Sequence, residues 1–82
     1  MEDVQEVLAG IIREISVMTS VPETELLPDG SFADNRIDSL SFVTLLLFVK
    51  RRWQLDYLAG TLAAADVASP AALAKRIVAD RA

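Results

Sequence analysis

The sequence predicts an all-α protein: a small four-helix bundle of three longer helices and one short helix, with a long first loop. Three observations carry this expectation. Val4, Val7, Leu8, Ile11, Ile12 and Ile15 recur at the spacing of a helical stripe. Eight of the ten residues from Leu40 to Val49 are apolar, behind the capping residue Asp38. Ser69-Pro70 is a strong helix start, with serine as cap and proline in the first turn. No segment alternates polar and apolar residues as a half-buried strand does.

The elements follow in order. The first helix is expected over roughly residues 3–18, with Asp3 as its cap and Glu6 completing a capping-box pair. Between Thr19 and Asp38 the period fails, and Pro22, Pro28, Asp29-Gly30, Ser31, Asp34 and Asn35 supply turn chemistry. A loop this long in a compact domain demands a purpose. Val21, Leu26, Leu27 and Phe32 are expected to pin it across the bundle, with one helical turn over Glu23–Leu26.

The second helix is expected from Asp38 to about Trp53. It is apolar around most of its girth, so it is central to the core, presents an apolar face to a partner, or does both. Trp53 reads as core rather than as a stacking residue, and Phe42 and Phe48 as divided between core and surface. Tyr57 either closes the bundle or faces a channel. The third segment, roughly Asp56 to Ala65, is Ala-rich and broken by Gly60, so a short helix is expected there. In the last helix Leu73, Ile77 and Val78 form the stripe, and Lys75, Arg76 and Arg81 suit the dipole of its end.

Composition bounds the chemistry. Eighty-two residues make one domain, 1–82, with little room for a deep catalytic cleft. The chain has no His and no Cys. That excludes Cys-based zinc sites, Cys–His pairs, Ser–His–Asp triads and disulfides, so no enzymatic activity and no metal site is expected. The longest apolar run, Leu45 to Val49, is five residues, too short to span a membrane. With no secretory signal and no disulfides, the cytoplasm is the expected compartment. The start at Met1 without a flanking linker favours a discrete protein.

The net charge of −4 is unevenly placed. Residues 1–38 hold nine acids and two bases, a net of −7, whereas residues 39–82 hold three acids and six bases, a net of +3. An acidic first half argues against nucleic-acid binding. Lys50-Arg51-Arg52 reads either as a solvated helix end that complements the dipole or as part of a cationic partner surface.

The most informative stretch is Ile37-Asp38-Ser39-Leu40, where the long loop meets the most apolar helix. Asp-Ser at a helix start is ordinary capping when it stands alone. Its setting near mid-chain, between that loop and that helix, resembles the acyl and peptidyl carrier protein family over nearly the whole chain. The resemblance implies an acyl-carrier-protein-like bundle in which Ser39 receives 4′-phosphopantetheine from coenzyme A. Asp38 is then the preceding acid and Leu40 the following apolar contact. A hydroxyl near a helix N-terminus suits a phosphodiester, which the dipole and free N–H groups favour. The reactive thiol then belongs to the cofactor, so a chain without Cys or His can still carry a thioester.

The implied partners are a phosphopantetheinyl transferase and loading and downstream enzymes of ligase, adenylation, acyltransferase or ketosynthase type. A monomer serving a dedicated polyketide or nonribosomal-peptide pathway is expected, without nucleic acid or membrane. Two departures from the family pattern stand out. Arg36 occupies the place where a glycine commonly stands two residues before the Asp. Helix two, the family's main recognition surface and usually acidic, has no acid over residues 39–55. Its expected partner face takes in Ser41, Val43, Thr44, Lys50 and Arg51, and a dedicated partner with an acidic or apolar dock is expected. The competing expectation is an unmodified, carrier-like helical adaptor, with Arg36 blocking the transferase.

Overall fold

A computed structural model describes residues 2–81. Three α-helices, α1 (Val4–Thr19), α2 (Ser39–Trp53) and α3 (Pro70–Arg81), pack within 30 × 25 × 22 Å. Two single 3₁₀ turns, Glu23–Glu25 and Ala64–Val67, punctuate the connections. No strand occurs among the described residues, as the periodicity predicts. Helix α1 packs on both α2 and α3. Its stripe residues Val7, Ile11 and Ile15 are wholly buried against Leu45, Val49, Leu73 and Ile77.

The helix starts follow their capping chemistry. An Asp3 carboxylate oxygen accepts the Glu6 N–H at 2.9 Å and Glu6 returns the contact to the Asp3 N–H at 3.2 Å. At α3 the Ser69 hydroxyl accepts the Ala72 N–H at 3.1 Å. The Ala71 N–H, left without an intrahelical partner, donates to the Pro28 carbonyl at 2.9 Å and ties the long loop to α3. In α3, Leu73, Ala74 and Ile77 are buried, and Val78 is only half-buried.

The long loop is organised by one buried amide. Asn35 is 1% exposed. Its Oδ1 accepts the Leu27 N–H at 2.7 Å, and its Nδ2 donates to the Leu27 and Ser31 carbonyls, both at 2.9 Å. Leu26 and Phe32 are buried and Val21 half-buried, as expected for pins. Leu27 departs from that expectation: its side chain is exposed and it is the backbone that Asn35 holds. The helical turn in this loop is the 3₁₀ turn Glu23–Glu25.

The segment expected as a short helix over 56–65 is built differently. Asp56 accepts the Leu58 N–H at 3.0 Å, and Gly60, at φ +84°, closes a turn by donating its N–H to the Tyr57 carbonyl at 3.2 Å. Both features pull the backbone out of helix before any stripe can form. The only helical turn here is the 3₁₀ turn Ala64–Val67, capped by Asp66, which accepts the Ala63 N–H at 2.9 Å.

Polar clamps close the bundle ends. Trp53 is core, as expected, with its ring 3.4 Å from the point where a Gly10 Cβ would stand. Its Nε1 donates to Glu2 at 2.9 Å, and Glu2 also accepts from Arg52 at 2.7 Å and Arg81 at 3.2 Å. The Trp53 hydrogen bond, helped by both guanidinium groups, holds the Glu2 carboxyl below the usual range against the opposing effect of desolvation. Of the two readings of Tyr57, the structure has the closing one: the ring is buried and its hydroxyl donates to Asp80 at 2.5 Å. Burial and then the Asp80 carboxylate push the Tyr57 phenol above its ordinary range. The Tyr57 hydroxyl, with Arg76, holds Asp80 low. Phe42 and Phe48 are both half-buried, edge-on to Phe32 and Trp53 at 5.0 and 5.6 Å between ring centres.

Replacing Asn35 by Ala leaves the Leu27 and Ser31 backbone groups without their partner. A loss of about 2–3 kcal/mol is expected in urea unfolding, from a typical 1–3 kcal/mol for an orphaned buried group. A loss below about 0.5 kcal/mol would show that the loop does not depend on this amide. The titrating clamps give a second expectation. Lowered carboxyls contribute stability that is full above the ordinary carboxylate range, near pH 4, and is lost as pH falls through their folded values. A raised phenol contributes stability that is full below about pH 10 and is lost as pH rises further. The urea midpoint should therefore be flat near neutrality and fall on both sides, and Asp80→Asn should lose less than the parent between pH 7 and pH 3. A midpoint that does not move down to pH 3 refutes the carboxylate clamps.

Candidate functional site

The site is the junction of the long loop and α2. Ile37 is buried and anchors the end of the loop, with its N–H donated to the Phe32 carbonyl at 2.9 Å. Asp38 follows in extended conformation as the cap of α2 and accepts the Ser41 N–H at 2.8 Å. That N–H, then the Ser41 hydroxyl and the Leu40 N–H, hold the Asp38 carboxyl below its usual range, with desolvation opposing. Ser39 is the first residue of the 15-residue helix and is exposed. Its hydroxyl therefore stands at the positive end of the helix dipole, beside N–H groups that have no intrahelical acceptor. Leu40 is 78% exposed.

An open, shallow cavity of about 210 Å³ lies beside Ser39. Phe32 and Ile37 of the loop, Phe42 of α2 and Val67 of the second 3₁₀ turn give it an apolar lining, and Asp38 and Ser39 its polar edge. These contributors come from three separate elements. The sequence singles out Ser39 and Asp38 but not this cavity, because Val67 reaches it from a segment distant along the chain. Among the described residues no group of three His, Cys, Asp or Glu side chains is placed to hold a metal ion. No helix of the described residues is long and apolar enough to cross a membrane.

Arg36 is the strained residue of the site. It sits at φ +63°, in the left-handed region that glycine occupies freely, with its N–H donated to the Ala33 carbonyl at 3.0 Å and its side chain exposed. The loop thus keeps a glycine-type turn with an arginine in it.

The expected partner residues are mostly brought together. Val43, Thr44, Lys50 and Arg51 are exposed on the outer face of α2, and Ser41 is half-buried at its edge. Leu47, 40% exposed, belongs to the same face and was not singled out from the sequence, although it stands seven residues after Leu40. The Lys50-Arg51-Arg52 run divides by role. Arg52 is structural, paired with Glu2 and lying 5.1 Å from the centre of the Trp53 ring. Lys50 and Arg51 face solvent. No protein-family model, no curated protein and no solved structure matches this chain.

Glycine at position 36 tests the strain. Arg36→Gly removes a left-handed penalty of about 1–2 kcal/mol but adds freedom to the unfolded chain worth about 0.4–1 kcal/mol. A net gain of up to about 1 kcal/mol is expected in urea unfolding, and Arg36→Val should lose stability. If the glycine variant is less stable than the parent, the left-handed turn is not where the loop is strained.

Proposed function

We propose that this chain is a phosphopantetheine-dependent carrier with Ser39 as its attachment site. The observation that carries the reading is an exposed serine hydroxyl at the first position of α2, held there by the buried Ile37 and the Asp38 cap. A nucleophile so placed is open to a transferase and needs no general base of its own, which suits a chain without His or Cys. The Ser39 Oγ attacks the β-phosphorus of coenzyme A, the bond to the nucleotide phosphate breaks, and adenosine 3′,5′-bisphosphate leaves. The serine proton passes to a base on the Mg²⁺-dependent transferase. When attached, the arm supplies the thiol that holds an acyl or aminoacyl group as a thioester.

This chain's own residues fit a phosphodiester at Ser39. The open N–H groups and the dipole of a 15-residue helix favour the added anion. Asp38 keeps its negative charge in solvent while accepting the Ser41 N–H as the helix cap, so the helix dipole and the open N–H groups offset its repulsion of the phosphate. The cavity beside Ser39 offers apolar surface next to the attachment point. On this reading the Ala64–Val67 turn stands in for the short helix that a carrier-type bundle would have. Loading and downstream enzymes of a dedicated polyketide or nonribosomal-peptide pathway in the cytoplasm are the partners this reading supplies.

The test is intact-mass spectrometry after incubation with coenzyme A, Mg²⁺ and a promiscuous phosphopantetheinyl transferase. The parent chain should gain one phosphopantetheine and Ser39→Ala none. Arg36→Gly, run beside them, shows whether the arginine slows the transferase. A folded parent that gains no mass, with this transferase or with those of its own cell, favours the unmodified adaptor instead.

A further inference from the structure

The outer face of α2 joins an apolar stripe to a cationic end. Leu40, Val43 and Leu47 are 78, 44 and 40% exposed. At about 100° per residue they share one face with Thr44 and Arg51, and Lys50 stands at its edge. No carboxylate occurs from Ser39 to Leu55. Asp38, which caps the near end through the Ser41 N–H, lies about 19 Å along the helix from Arg51. Lys50 meets Asp56 at 3.4 Å, but both side chains are about half exposed, and such a pair holds its ammonium weakly. Arg51 makes no ion pair among the described residues.

We propose that this face docks an enzyme surface made of an apolar groove rimmed by carboxylates. The proposal rests on the carrier reading for the nature of the partner, an enzyme acting on a group held at Ser39. Ser39 adjoins Leu40, so a partner seated on the stripe has the attachment point at its edge. From Leu40 to Arg51 the helix rises about 16 Å, enough to separate an apolar contact near Ser39 from a charged contact at the far end. The carboxylates must come from the partner, since a second copy of this face has none to offer. An anionic membrane is the poorer match, because the first 38 residues carry a net charge of −7 and lie in the same small body. Cations at the far end act on encounter and on choice of partner, and a basic dock is penalised by like charge.

Two helical peptides with the same leucine stripe, one flanked by Glu and one by Lys, serve as probes. Each is titrated into the isotope-labelled full chain at low salt and followed by amide chemical shifts. The Glu peptide should shift the amides of Leu40 to Arg51 and bind at least about tenfold tighter than the Lys peptide, with the gap closing as salt is added. The double variant Lys50→Glu, Arg51→Glu should reverse the preference, and Leu47→Ser, at an exposed position that leaves the fold intact, should weaken both. Equal binding of the two peptides, shifts mapping elsewhere, or no shifts overturn the dock. So does a stronger response of the same amides to phosphatidylserine vesicles. Failure of the carrier reading is read separately, by mass, on the same samples. A chain that is modified at Ser39 but ignores the Glu peptide removes the dock alone. A chain that binds that peptide but is never modified keeps the face and removes the carrier.

Discussion

The buried Asn35 amide is the constraint on which the rest of the structure depends. About 20 residues separate α1 from α2, and their backbone groups must find partners without a helix or a sheet to supply them. A hydrophobic core cannot do that. Local turns pair many of these groups, and Asn35 ties three of them together with one side chain, accepting from the Leu27 N–H and donating to two carbonyls, in a position that is almost wholly enclosed. Around this hub Leu26, Phe32 and Ile37 turn inward. Ile37 is buried two residues before the exposed Ser39, so the end of the loop is anchored in the core where α2 begins. No buried side-chain polar atom among the described residues is left without a partner, which is what makes such a network stabilising rather than costly.

The same economy governs the ends of the bundle. A chain this short cannot bury enough apolar surface to close every end with hydrophobic side chains. Glu2 gathers Trp53, Arg52 and Arg81 at one end, and Arg76 bridges Asp66 at 2.6 Å and Asp80 at 2.8 Å while lying 5.8 Å from the centre of the Tyr57 ring. These groups are partly solvated, so each pair is individually weak. Their value lies in geometry. The Arg76 cluster fixes the irregular segment 56–67 against α3, and that segment carries Val67 to the cavity beside Ser39.

Most of the helical frame was legible because it rests on local chemistry. The Asp3–Glu6 box, the Asp38 cap and the Ser69-Pro70 start each occupy the boundary their residue types announce. Trp53 was legible as core from its place at the end of the most apolar helix. What escaped detection depends on contacts between distant segments or on backbone conformation. The Ala-rich stretch after Asp56 has good helix propensity, but an Asx turn and the positive φ of Gly60 override it. Leu27 looks like a pin and is instead held by its backbone. The role of Asn35 is invisible in a sequence, since asparagine in a loop usually marks an exposed turn. The left-handed conformation of Arg36 is equally hidden, because an arginine does not announce a positive φ as a glycine does.

Arg36 and the charge of α2 are connected through their place in the chain. An arginine in the strained turn, a helix face without acids and two solvent-exposed cations at its far end all belong to the stretch from Arg36 to Arg51 that carries the candidate attachment site. The acids are concentrated in the first 38 residues, where Glu2, Asp3 and Asp38 are spent on clamps and caps. Reversing Lys50 and Arg51 alters a solvent-facing helix end without touching the core, the Asn35 network or the caps. A domain built this way can change the charge of one helix face by substitution while its fold and Ser39 stay in place.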